Sequence, residues 1–193
     1  MKKILFILFI LMLSFGQKIN AETINQIYEG NIDAKVTIIT YESLTCGHCA
    51  DFHKNIYPDL KKEFIDTGLV KIEFRQFPLD MAALNASKIA QCKNDGKSDL
   101  LHFLYLNQKK WVVGETINEA NENIKKIIEE NGFDLDFNKC LNNKEIEDYI
   151  LNSRIEAVKK FKLNATPTII INNEKFDKAL NFKNLKKSIE KLI

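Results

Sequence analysis

Cys46-Gly47-His48-Cys49 is the stretch whose residue types and spacing point most directly to chemistry. Two thiols three residues apart can pass between dithiol and disulfide, and the ionised sulfur is the species that attacks. On a helical turn that spacing puts both sulfurs on one face. The chain of 193 residues holds four cysteines, which allow three pairings. Joining the nearest two leaves Cys92 with Cys140. A bridge across three residues constrains little chain, so the first pair reads as redox-active rather than as a staple. A Cys92–Cys140 bridge would close a long loop, worth about 4 kcal/mol in the chain-entropy account. It reads as a structural disulfide pinning two helices; a second redox relay or two free thiols are the alternatives. His48 lies between the first two sulfurs, where an imidazole or imidazolium can stabilise a thiolate. His53 and His102 fall on helical segments and read as structural.

The elements that must position this pair follow from periodicity. Residues 36–41, Val-Thr-Ile-Ile-Thr-Tyr, are β-branched and aromatic and predict a strand. From Cys49, apolar residues recur at Phe52, Ile56, Leu60 and Phe64, the spacing of a helix. Thr45 stands where its N-cap is expected, Pro58 should kink it, and Gly68 ends it. Residues 69–77 alternate as a second strand. Strand, helix and strand at this spacing form a βαβ unit with parallel pairing. Four helical patterns follow, at 81–93, 98–110, 116–131 and 143–161. A strand at 168–171, an Asn172-Asn173 turn, a partner strand at 174–176 and a closing helix at 181–193 complete the chain.

This order, with Ala165-Thr166-Pro167-Thr168 just before the later strand, resembles the thioredoxin superfamily. With a helical block between the halves it most closely resembles the DsbA-like disulfide oxidoreductases of the bacterial envelope. The resemblance covers nearly all of the chain after the first 21 residues. Its sharpest elements are Ser43-Leu44-Thr45-Cys46-Gly47-His48-Cys49 and Thr166-Pro167. It implies an α/β thioredoxin fold, a central mixed sheet flanked by helices, with an inserted all-helical subdomain. The thioredoxin-like parts would be residues 22–80 and 163–193, and the insertion 81–162. Cys46, at the helix start where free N–H groups favour an anion, would be the nucleophile. Cys49, one turn deeper, would be the shielded partner that resolves the mixed disulfide. Gly47 would let substrate backbone approach. Pro167 would be cis beside the Cys-x-x-Cys, and the Thr166 backbone would pair with substrate as a strand does. Thioredoxin-like proteins often carry an acid six residues before the first cysteine. Here that position is Thr40, while Glu42 shares its strand parity and could take a related role.

The first 21 residues read as an export signal. Lys2-Lys3 precedes an unbroken apolar run from Ile4 to Leu13, and Ala21 offers a small residue at the cleavage site. The run is short for a bilayer crossing; a retained anchor is the alternative. The net charge of +2 falls to −1 once the three lysines of this segment are gone, which excludes the charge surplus of a nucleic-acid binder. Exported chains meet conditions in which disulfides persist. A glycan on Asn164 of Asn164-Ala165-Thr166 would crowd the groove, and Leu192-Ile193 carries no ER-retention signal, so the periplasm is expected.

No cofactor or metal is expected. A c-type haem site needs His after the second cysteine, where Ala50 stands. A four-thiolate zinc site needs a second close pair. The function expected is introduction of disulfides into exported proteins. Disulfide isomerase or reductase activity is the alternative, ahead of a thioredoxin-fold metal-delivery or chaperone module. Gly47-His48 resembles the dipeptide of eukaryotic disulfide isomerases. Partners would be exported proteins with cysteines and, by analogy, a membrane quinone-linked reoxidase. Residues 22–35 are too short for the dimerisation domain that dedicated isomerases add, so a monomer is expected.

Overall fold

The computed structural model describes residues 23–193; the segment expected to be an export signal, 1–21, lies outside them. The described residues form a five-stranded sheet in the order β1-β3-β2-β4-β5. The strands are β1 (Tyr28–Glu29), β2 (Val36–Glu42), β3 (Val70–Gln76), β4 (Thr168–Ile171) and β5 (Glu174–Lys175). β2 runs parallel to β3, with Ile38 beside Ile72, and antiparallel to β4, with Thr40 beside Ile169. β1 is antiparallel to β3. β2 is central and nearly buried because both its faces are covered. Ile38 joins one apolar cluster with Phe52, Ile72 and Phe74, while Tyr41 joins Ala157, Leu163 and Ile170 in another.

The helix after β2 is α1 (Gly47–Asn55). It does not continue through Pro58 as one kinked rod. It stops at Ile56, restarts as α2 (Tyr57–Leu60) with Pro58 in its first turn, and widens into a π turn at Lys61–Ile65. Pro58 lacks the N–H that would reach back one turn, and its ring crowds that carbonyl, so the break falls just before it.

The block between β3 and β4 is helical, as expected: α3 (Met81–Gln91), α4 (Asp99–Leu106), α5 (Gln108–Trp111), α6 (Ile117–Glu130), α7 (Phe137–Leu141) and α8 (Lys144–Phe161). The single helix predicted over 98–110 is divided at Asn107, whose side-chain amide donates to the Phe103 carbonyl at 2.9 Å and competes with the backbone ladder. Short α7 and two-residue β1 were too brief to carry a period. Thr116 and Glu119 form a reciprocal capping box on α6. Leu101, Tyr105, Trp111 and Ile124 of the block share one core with Phe52 and Phe74, so the insertion is built onto the sheet rather than hung from it. Cys92, at the end of α3, is bonded to Cys140 in α7, with Cα atoms 5.4 Å apart.

The Asn172-Asn173 turn has φ of 47° and 70°, the left-handed pair that a two-residue hairpin requires. The chain closes with α9 (Phe182–Ile189), which buries Leu185 and Ile189. No helix among the described residues is long and apolar enough to cross a membrane.

Candidate redox site

The end of β2 delivers the chain into a tight loop, Ser43 to Cys46, at the mouth of α1. The Cys46 N–H donates to the Ser43 carbonyl at 3.0 Å. The N-cap is Cys46 itself, in extended conformation and with no side-chain cap bond, so the expectation of Thr45 as cap is corrected. Thr45 turns away and its hydroxyl donates to Asp80 at 2.7 Å, while Asp80 caps α3 by accepting from the Ala83 N–H. A Thr or Ser cap would have consumed the amides at the helix start. Leaving the cap to Cys46 keeps them for sulfur.

Cys46 and Cys49 are the free cysteines among the described residues; Cys46 is partly exposed and Cys49 is fully buried. The environment splits their acidities. The Cys49 thiol above all, then Thr166 and the backbone of Cys49 and His48, hold Cys46 down at about 5, against burial acting the other way. Burial, the neighbouring Cys46 and the Glu42 charge push Cys49 far up. The Thr166–Pro167 peptide is cis and lies across from the first sulfur, with Cys46 Sγ 3.4 Å from the Thr166 carbonyl oxygen. Gly47 and His48 are exposed at the rim. A Cβ on Gly47 would meet nothing within 4 Å, so the open approach expected at this position exists in the free protein.

Contacts from further along the chain complete the site. Gln108, at the start of α5, donates from its amide to the Leu44 carbonyl at 2.8 Å and the Cys46 carbonyl at 3.0 Å. It thereby pins the loop that carries the nucleophile. Nothing in the local sequence marks Gln108, because its partners lie more than sixty residues away. Glu42 is fully buried and accepts from or donates to His53 Nε2 at 2.7 Å. Thr40, at the position where an acid is frequent, is buried with its hydroxyl 3.4 Å from the Glu73 carbonyl. Tyr105 of α4 stacks on His53 at 4.0 Å; burial first, then the charges of Glu42 and the two cysteines, push its phenol well up. His53 and His102 are in ring-nitrogen contact at 2.7 Å, an arrangement their helical positions alone did not disclose.

An acidified thiol at a strand-to-helix junction, a buried partner one turn on and a cis-proline peptide facing them define a redox site of the thioredoxin class. A family model described as thioredoxin matches residues 22–191. A crystal structure of alpha-DsbA1 from Wolbachia pipientis superposes with a TM-score of 0.76 and 30% identity, covering 90% of this chain and 93% of that one. A Rickettsia bellii protein, assigned by its name to the protein-disulfide oxidoreductases, is 32% identical over 151 residues, 77% of this chain and 57% of its own. Disulfide bond formation protein D of Bacillus subtilis is 27% identical over 175 residues, 84% of this chain and 74% of its own. This chain belongs to the thioredoxin superfamily, within its DsbA-like thiol:disulfide oxidoreductases. It spans little more than half the length of the rickettsial relatives, between 53% and 62%.

Proposed function

We propose that the protein donates its Cys46–Cys49 disulfide to cysteine-bearing proteins outside the cytoplasm, with Cys46 as the sulfur that substrate attacks. The observation that carries this reading is the inequality of the two thiols: Cys46 held at about 5 and accessible, Cys49 raised and enclosed. The sulfur at the surface is therefore a stable leaving group, and the reduced form of the protein is the favoured one. Thr166 and Pro167 offer a backbone edge on which an extended substrate can lie, and Gly47 leaves room for it. His48 faces the same approach. The Cys92–Cys140 bond serves structure.

Magnitude limits how strong an oxidant this makes. Lowering a thiol from 9.0 to about 5 favours the dithiol at pH 7 by at most about 2–3 kcal/mol, roughly 60 mV. Solvent screening of a partly exposed sulfur trims that figure. Starting from about −270 mV, a typical thioredoxin, the couple reaches about −210 mV, short of the about −120 mV of a strong oxidase. Shuffling of wrong disulfides is the second reading, and Gly47-His48 favours it. Both place the protein in the periplasm, as a monomer, reoxidised by a membrane quinone-linked partner.

The deciding measurement is the equilibrium potential of the Cys46–Cys49 couple against glutathione, run beside oxidation of a dithiol peptide. A value at or above about −210 mV supports donation, and one below about −250 mV reverses the direction to reduction. Peptide oxidation that survives Cys46→Ser would end the proposal.

A further inference from the structure

Resting on the oxidoreductase reading, the chemistry poses a problem of proton supply. A substrate thiolate attacks Cys46 Sγ, the Cys46–Cys49 bond breaks, and Cys49 leaves as a thiolate. A second substrate thiolate then attacks the substrate sulfur of the mixed disulfide and frees the Cys46 thiolate. In balance, two substrate thiols and the protein disulfide give a substrate disulfide, the Cys46 thiolate, the Cys49 thiol and one released proton. The substrate sulfurs are oxidised and the protein sulfurs reduced. Cys49 must take a proton in this half-cycle and lose it in reoxidation, yet it is fully buried. Until it is protonated, the Cys49 thiolate can turn back on the mixed disulfide beside it.

From Glu42, whose charge acts on Cys49, the structure holds a continuous path outward. Glu42 Oε2 lies 2.7 Å from His53 Nε2, His53 Nδ1 lies 2.7 Å from His102 Nδ1, and His102 Nε2 lies 2.7 Å from Glu29 Oε1. Side-chain exposure rises along it, from 0% at Glu42 and 1% at His53 to 16% at His102 and 15% at Glu29. Its outer end opens into a surface cleft of about 590 Å³ bordered by Glu29, Lys61 and His102. At its inner end Glu42 Oε1 has no hydrogen-bond partner among the described residues, which leaves it open to give Cys49 its proton in this half-cycle and to take it back in reoxidation. We propose that Glu42, His53, His102 and Glu29 are a proton-conducting chain that couples the buried Cys49 sulfur to solvent at the Glu29 cleft.

Each of the three contacts needs one proton between its two atoms. In one arrangement the Glu42 hydroxyl donates to His53, His53 Nδ1–H donates to His102, and His102 Nε2–H donates to Glu29. Moving the first two protons one place outward leaves Glu42 ionised, His53 neutral and His102 an imidazolium against the Glu29 carboxylate. No heavy atom has to move. The reverse movement brings a proton in from the cleft to Glu42. Despite burial, bonds from His102, Ser98, Tyr57 and Lys61 hold the Glu29 carboxyl far below its ordinary range. Burial presses His53 towards the neutral form, so it passes protons on rather than storing them. The other charged or titratable groups around the path are Tyr105 beside Glu42 and His53, Tyr57 stacked on His102, Lys61 bound to Glu29 and Asp66, and Asp95, Lys97 and Asp99 lining the cleft at its outer end. His53 and His102 act through Glu42 and touch neither sulfur; they are positioning residues for the proton.

The test is stopped-flow reduction of the oxidised protein by a dithiol peptide from pH 5 to 9, for wild type, His102→Gln and His102→Ala. Gln keeps a hydrogen-bonding side chain in place but cannot exchange protons between its ends. Both variants are expected to slow at pH 7 by about tenfold or more, with the equilibrium potential and the Cys46 titration unchanged. Free imidazole is expected to restore His102→Ala through the cleft and to leave His102→Gln slow. In wild type, a solvent isotope effect that curves with deuterium fraction is expected, because several protons move together. Wild-type rates for His102→Gln across the pH range, or a wild type indifferent to deuterium, would overturn the chain while leaving the oxidoreductase reading intact. Failure of the wild type to exchange at all overturns both.

Discussion

Acidification of Cys46 from 9.0 to about 5 has a consequence for rates that differs from the intuitive one. At pH 7 a thiol of the ordinary acidity is about 1% ionised and one near 5 is about 99% ionised, a gain of roughly 100-fold in thiolate. With a Brønsted coefficient of about 0.4–0.5, the same drop in basicity costs roughly 40- to 100-fold in intrinsic nucleophilicity. The two nearly cancel. Cys46 is therefore expected to attack glutathione disulfide at pH 7 within a few-fold of an unstructured cysteine peptide. At pH 5 the ionised fractions differ by roughly 5,000-fold, so Cys46 is expected to be about 100-fold faster. Initial rates at both pH values, together with thiolate absorbance of the reduced protein from pH 3 to 9, check this. The absorbance midpoint is expected near 5 and is expected to vanish in Cys46→Ser. Cys49→Ala removes the largest stabilising contact and should raise the midpoint by about one pH unit, the worth of one hydrogen bond to a charged group. A midpoint above 7, or a rate ratio that does not change with pH, would refute the assignment of Cys46 as the acidified sulfur.

Replacing Cys92 and Cys140 together by Ser opens a loop with a sequence separation of 48, and urea unfolding should show a loss of up to about 4 kcal/mol. The Cys46 midpoint should not move in that variant; a shift would tie the second pair to the redox site. Gln108→Leu strips the Leu44 and Cys46 carbonyls of their donor, and urea unfolding should register about 1–3 kcal/mol. A loss below about 0.5 kcal/mol would mean that the loop holds itself, since a released donor bond is worth more than that. The folded reduced protein has a more acidic Cys46 than the unfolded chain. Its thiolate therefore adds stability that is complete above about pH 9 and is lost as pH falls through about 5. His53, lowered by burial, adds a loss of the same sign below its ordinary value of 6.5. The melting temperature of the reduced protein minus that of Cys46→Ser should rise from pH 5 to 9, and a flat difference would count against it.

The parts of the molecule that repeat or alternate were legible in the sequence, and the parts held by single long-range contacts were not. β2, β3, β4, the Asn172-Asn173 turn and the long helices follow from patterns several residues deep. The position of Thr166-Pro167 against the Cys-x-x-Cys rested on a resemblance, and the structure places them together. The helix start was misread because Thr45 has the chemistry of a cap, whereas its hydroxyl finds Asp80 instead. Gln108 and Tyr105 were invisible because their roles arise only when α4 and α5 dock on α1. His53 and His102 looked like ordinary helical residues; their meeting depends on two helices whose residues are 49 apart in the chain. Glu42 carried a signal in its strand parity with Thr40, and its burial follows from that parity.

The docking of residues 99–111 has a wider meaning for how such proteins diversify. One short stretch holds the backbone of the nucleophile's loop through Gln108, sets Tyr105 against the inner carboxylate, and presents His102 towards the outside. The surroundings of the two sulfurs therefore come from two regions of the gene that can drift separately. Two descendants with identical motifs from Ser43 to Cys49 can differ in how the nucleophile's loop and the inner carboxylate are held through substitutions in α4 and α5 alone, so comparing only the four-residue signature underestimates how far they have parted.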